Sequence, residues 1–154
     1  MGYASKTTVP EHKTRSEIET LLRSIGADQV GSSIDYTARV SCIMFRWKGL
    51  QIAMRISLPD PSSKAFTRDR RGSLRTPLQA LAEYEAECRR RMRCLLLALK
   101  AKVVSVNEGV TTVEVEFMPY IVTNNGQTVA ERMLPRMIEA GALGAAIDPA
   151  RLLE

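Results

Sequence analysis

Eight cations give this 154-residue chain its clearest chemical capacity. Arg68, Arg70, Arg71 and Arg75 fall in the stretch RDRRGSLRTPLQ, and Arg89, Arg90, Arg93 and Lys100 follow further along. Guanidinium groups present planar forks of donors that match phosphate oxygens, and each phosphate neutralised releases condensed counterions. Such contacts hold a nucleic-acid backbone and fix its register without reading sequence. At 100° per residue, Arg89, Arg93 and Lys100 fall within about 40° of each other and Arg90 lies about 60° further round. Glu85 with Arg89 and Glu87 with Arg91 stand at i, i+4 in the favourable orientation, whereas Arg90, Arg93 and Lys100 have no local partner in the sequence. The competing reading is a solvated helix face whose arginine stems cover apolar surface. Phe66 in the loop and Trp47 on the sheet are the stacking candidates near basic residues, and Trp47 belongs to the expected core, so duplex or generic polyanion binding is favoured over single-strand recognition.

Other chemistry is sparse. Cys88 and Cys94 have five residues between them, too many for a zinc knuckle, and lie about 120° apart on a helix. Cys88 beside Arg89 is expected to be a buried, inert thiol. His12, the single histidine, sits in an expected N-terminal arm. No pair of carboxylates is spaced for acid and base work, and GADQVG and GALGAA lack the lysine of a phosphate-binding loop. No catalytic residue, metal site or cofactor is therefore expected.

Composition sets the frame for those residues. With 45% apolar and 25% charged residues, the chain has enough core material for one domain held by aliphatic packing. Three cysteines and no secretory signal pattern point to a reducing cytoplasm. The net charge of +5 is unevenly spread: residues 68 to 102 hold 10 Lys/Arg against 4 Asp/Glu, and residues 103 to 154 hold 3 against 7. A basic centre beside an acidic C-terminal third suits either a polyanion or a second copy of the chain.

The elements that must position the cations can be placed from the period of apolar residues. Residues 1 to 13 show none and are read as a flexible arm. Thr14 with Glu17 predicts a capping box, then Ile18, Leu21, Leu22 and Ile25 a short helix closed by Gly26. From Asp28 to Leu58 the period is two. Lys48 and Gly49 predict a hairpin that sets Trp47 opposite Leu50, Phe45 opposite Ile52 and Ile43 opposite Met54 on the core face, with DQVGSSI as a third, weaker strand. Residues 59 to 75 have turn residues, charges and no period, and are read as a long mobile basic loop.

Thr76, Pro77 and Gln79 then predict a capped helix running to about Val106 and closed by Asn107 to Gly109. Its apolar stripe is Leu81, Cys88, Met92, Leu95, Leu99, Val103 and Val106. VEVEF reads as either a strand or a helix capped by Thr111, the helix ending near Pro119 being preferred. TNNG is a turn, and Thr128 with Glu131 caps a last helix reaching about Ala140, bent or interrupted at Pro135. The tail GALGAAIDPARLLE is expected to pack loosely.

The segments SKTTVPEHKTRSEIETLLRSIGADQVG, ECRRRMRCLLLALKAKVVSVNEGVTT and NNGQTVAERM resemble a group of small uncharacterised bacteriophage and prophage proteins. The resemblance implies a protein working in a bacterial host's cytoplasm, and phages commonly encode DNA-handling factors and inhibitors of host machinery or defence in chains of this size. It transfers no residue role.

The expectation is thus an α+β domain over residues 14 to 154, a three-stranded antiparallel sheet packed on a long helix with additional short helices. Its expected role is non-enzymatic binding of nucleic acid or another polyanion through backbone contacts. A protein-interaction inhibitor of a host or defence complex is the alternative, and a homo-oligomer pairing basic centre to acidic third is a further possibility; no membrane partner is expected.

Overall fold

The computed structural model describes residues 11–143. The order is α1 (Glu11–Ser24), β1 (Gln29–Asp35), β2 (Val40–Trp47), β3 (Leu50–Ser57), α2 (Lys64–Thr67), α3 (Pro77–Asn107), α4 (Val113–Phe117), a 3-10 turn (Met118–Tyr120) and α5 (Val129–Glu139). The class is α+β, a three-stranded antiparallel sheet in the order β1-β2-β3 beside one long helix and several short ones.

The β2–β3 register has Trp47 opposite Leu50, Phe45 opposite Ile52 and Ile43 opposite Met54, as the alternation requires. Lys48 and Gly49 turn the hairpin with φ of 46° and 82°, two left-handed residues whose twist matches that of the strands. Because side chains alternate, Ile43, Phe45, Trp47, Ile52 and Met54 all point to one buried layer. Helices α1 and α3 close that layer with Ile18, Leu22, Met92, Leu95, Leu96, Leu99 and Val103. Trp47 buries its ring there and donates Nε1–H to the Ile25 carbonyl at 2.9 Å. Phe117 of α4 meets Phe45 edge to face at a centroid distance of 5.2 Å.

Helix α1 begins at Glu11 and not at a Thr14 cap. Thr14 lies one turn before Ile18 on the same face and is buried inside the helix, while Glu17 points to α3. Residues 11 to 13 of the expected arm are therefore helical; the rest of the arm lies outside the described residues, as does the tail from residue 144.

Helix α3 has the predicted cap: Thr76 Oγ1 accepts from the Gln79 amide and the Gln79 side chain accepts from the Thr76 amide, with Pro77 in the first turn. Its apolar stripe departs from the reading at two places. Leu81 is 52% exposed, because the first turns of this roughly 46 Å helix carry no fully buried residue, and Leu96, absent from the predicted stripe, is buried in the core.

Residues 113 to 120 are helical, with Thr112 rather than Thr111 as the cap. The last helix has the Thr128–Glu131 capping box and runs on through Pro135 without interruption. Its residues Met133, Leu134, Met137 and Ile138 stay largely exposed.

Candidate polyanion surface

The basic segment after β3 is more ordered in outline than an aperiodic loop. Ser63 caps the single turn of α2, Phe66 is buried edge to face against Tyr84 of α3 at 5.7 Å, and Arg68 bridges to Leu74. Arg75 does not face outward as a phosphate ligand. Its Nη1 donates to the carbonyls of Ala65 at 3.0 Å, Phe66 at 3.1 Å and Arg68, so one guanidinium ties both arms of the segment together. A period search cannot find this, because the order comes from side chain to backbone bonds.

At the tip, Asp69, Arg70, Arg71 and Gly72 make a tight turn. The Gly72 amide donates to the Asp69 carbonyl at 3.0 Å, and Gly72 takes a φ of 85° that disfavours any other residue. Asp69 Oδ1 accepts from the amides of Arg71 at 2.8 Å and Ser73 at 2.9 Å. Arg68 donates to the Gly72 carbonyl at 2.7 Å. Arg70 and Arg71 are exposed at this tip, and the nearby leucines Leu74 and Leu78 are 74% and 78% exposed.

The arginines of α3 have carboxylate partners; that of Arg90 is local, three residues away, which corrects the reading that left it without one, whereas that of Arg93 is distant in sequence. Arg90 holds Glu87 through two bonds of 2.7 and 2.6 Å, and Arg91 shares the same carboxylate at 3.1 Å while also reaching the Ser57 carbonyl. Arg90's bond, followed by Arg91's, keeps Glu87 ionised below the usual carboxylate range, against the opposing effect of burial. Arg93 reaches across to Glu17 of α1 at 3.1 Å, a long-range pair that no local spacing reveals. Arg89 faces Glu85 at 3.9 Å, beyond hydrogen-bond reach. Lys100 is exposed. Two of the four α3 cations, Arg90 and Arg93, are thus hydrogen-bonded to carboxylates and Arg75 to backbone carbonyls, so these three have donors committed within the protein. Arg68, Arg70 and Arg71 cluster at the tip; Arg75, Arg90 and Arg93 serve the fold.

A cleft of about 740 Å³ opens where the exposed start of α3 overhangs the far end of the sheet. Ile34, Leu58, Leu81 and Met92 give it apolar walls, and Tyr36, Arg39, Tyr84 and Arg89 converge on it. Tyr36, in the β1–β2 turn, is 75% exposed. Arg39 has a φ of 54°, an uncommon conformation for a residue with a Cβ, and pairs with Asp60 at 3.0 Å. Burial, reinforced by the Cys88 thiol, pushes the Tyr84 phenol above its ordinary value, so it stays neutral. Cys88 is half-buried at the cleft wall rather than sealed in the core. Tyr36 and Arg39 precede the helix residues by more than forty positions, and only the fold joins them.

Among the described residues no group of three or more His, Cys, Asp or Glu is arranged to hold a metal, and no helix is long and apolar enough to cross a membrane. No family model, curated protein or solved structure matches the chain.

Proposed function

We propose that this is a non-enzymatic, phage-type accessory protein of the host cytoplasm that binds nucleic acid or another polyanion through phosphate contacts. The observation that carries the reading is the Asp69–Gly72 turn: a short, hydrogen-bonded support that holds Arg70 and Arg71 out from the body. Between residues 64 and 75 five cations stand against one carboxylate. Pre-organised charge of this kind lowers the ordering cost of binding. Lys100 adds a further exposed cation, whereas Arg90 and Arg93 already spend donors on Glu87 and Glu17.

The test is fluorescence anisotropy of labelled DNA over a salt series. An Arg70→Ala/Arg71→Ala variant should bind more weakly and lower the slope of log affinity against log salt by up to about 1.8. Arg90→Ala should change the slope less. Absence of DNA binding by the native chain at low salt sinks the proposal.

Leu74 and Leu78 favour a second reading, in which the same end docks on a host or defence complex as an inhibitor. Apolar anchors rimmed by arginine are common at protein interfaces. In that case a Leu78→Asp variant loses a host protein in capture experiments while DNA binding is negligible throughout.

A further inference from the structure

We infer that the cleft between the β1–β2 turn and the start of α3 seats one base of a single-stranded nucleic acid, with Arg39 and Arg89 meeting its flanking phosphates. This rests on the polyanion reading and names the kind of strand involved. The sequence lacks an aromatic run among its cations, but the fold assembles what the sequence separates. Tyr36 from the turn and Tyr84 from α3 line one cavity with two arginines. Single-strand sites combine these two features, aromatic faces for bases and cations for the backbone. About 740 Å³ falls within the range of small-ligand sites, so it has room for one nucleobase.

Three details fit a base better than a wholly apolar guest. Tyr36 is exposed, so its ring is open to stacking without any rearrangement of the core. Arg89 faces its carboxylate only at 3.9 Å, which leaves its donors able to reach a phosphate. Tyr84 also meets Phe66 edge to face, and the Phe66 segment runs on to Arg70 and Arg71, so the cleft wall and the basic tip share one support. A strand leaving the cleft towards the tip would meet phosphate ligands at both ends. Exposed duplex bases are paired and stacked, and cannot enter without being extruded.

Two carboxylates oppose this ligand. Glu85 lines the cleft and Asp60 holds Arg39 at 3.0 Å. Each repels a phosphate, and Asp60 also occupies Arg39, so removing either charge should strengthen strand binding, an effect opposite to that of most substitutions.

The experiment compares three labelled probes of equal length: a mixed-sequence single strand, the matching duplex, and a single strand with abasic sites. The native chain should hold the first at least about ten-fold more tightly than the other two. Tyr36→Ala should remove roughly ten-fold of the single-strand affinity and leave duplex binding unchanged, and Glu85→Gln should raise single-strand affinity. Equal binding of all three probes, or indifference to Tyr36→Ala, overturns the base-seating inference. If binding is then still lost in Arg70→Ala/Arg71→Ala, the polyanion reading stands alone. If no probe binds at low salt, both fall. The abasic comparison needs no variant and is independent of folding changes.

Discussion

Replacing Arg75 with lysine keeps the charge and removes the fork, and so separates support of the basic tip from simple attraction. In the native chain one nitrogen of Arg75 serves the carbonyls of Ala65, Phe66 and Arg68, and its side chain is only 20% exposed. A hydrogen bond from a charged donor contributes about 1.5–3 kcal/mol. The carbonyls of Ala65 and Arg68 lie at an exposed rim where water can substitute, and that of Phe66 is partly buried. The loss should therefore amount to one or two such bonds, about 2–4 kcal/mol. Lysine's chain ends one bond short of the position of Nη1, so its ammonium cannot meet all three carbonyls at these distances. The stability change should be local, because the segment packs on α3 mainly through Phe66 and Tyr84 while the core lies elsewhere.

Hydrogen exchange is the direct assay. The amides of Arg75, Asp69 and Gly72, bonded to Thr67, Ser73 and Asp69, should exchange about 30- to 700-fold faster, with the core strands unaffected. Affinity for DNA should fall although net charge is unchanged. Unaltered exchange in the Arg75→Lys protein refutes the role assigned to the fork. Fast exchange with undiminished affinity shows that charge alone recruits the ligand.

Other perturbations test the fold around the site. Leu99→Ala removes a side chain with no exposed surface and should cost about 2.7–5 kcal/mol in global unfolding by denaturant. Gly49→Ala places a methyl group in open space at a φ of 82°, so its cost of about 1–2 kcal/mol should come from backbone strain alone and appear as a lower denaturation midpoint. Glu87 is held below the ordinary carboxylate range by Arg90 and Arg91, so its contribution is complete above the unfolded pKa of about 4.3 and is lost as pH falls through the lower folded value. Denaturation midpoints of Glu87→Gln should accordingly depend less on pH from about 5 downward; parallel curves for the two proteins contradict the assignment.

Local rules reached far into this fold. The alternation from Arg39 to Ser57 can be satisfied in only one register once Lys48 and Gly49 turn the chain, since a shift of one residue would expose Phe45 and Trp47. The caps at Thr76 and Thr128 were equally legible, because a cap is a contact between residues three apart. Thr14 misled for a related reason: the same spacing occurs by chance within a helix, and burial decided its place. Pro135 looked like a break, yet a proline removes one hydrogen bond, and the remaining bonds carry α5 past it.

The candidate site divides along the same line. Sequence alone determined which residues carry positive charge, where the long helix begins, and that Glu85 and Glu87 lie within reach of Arg89 and Arg91. Only the tertiary structure decided that Arg93 belongs to Glu17, that Arg75 faces inward to backbone carbonyls, and that Tyr36 and Arg39 meet Tyr84 and Arg89 around one cleft. Charge and capping are properties of neighbours along the chain. Which cation remains available for a ligand depends on the acceptors that packing brings to it, and those come from elements far apart in sequence.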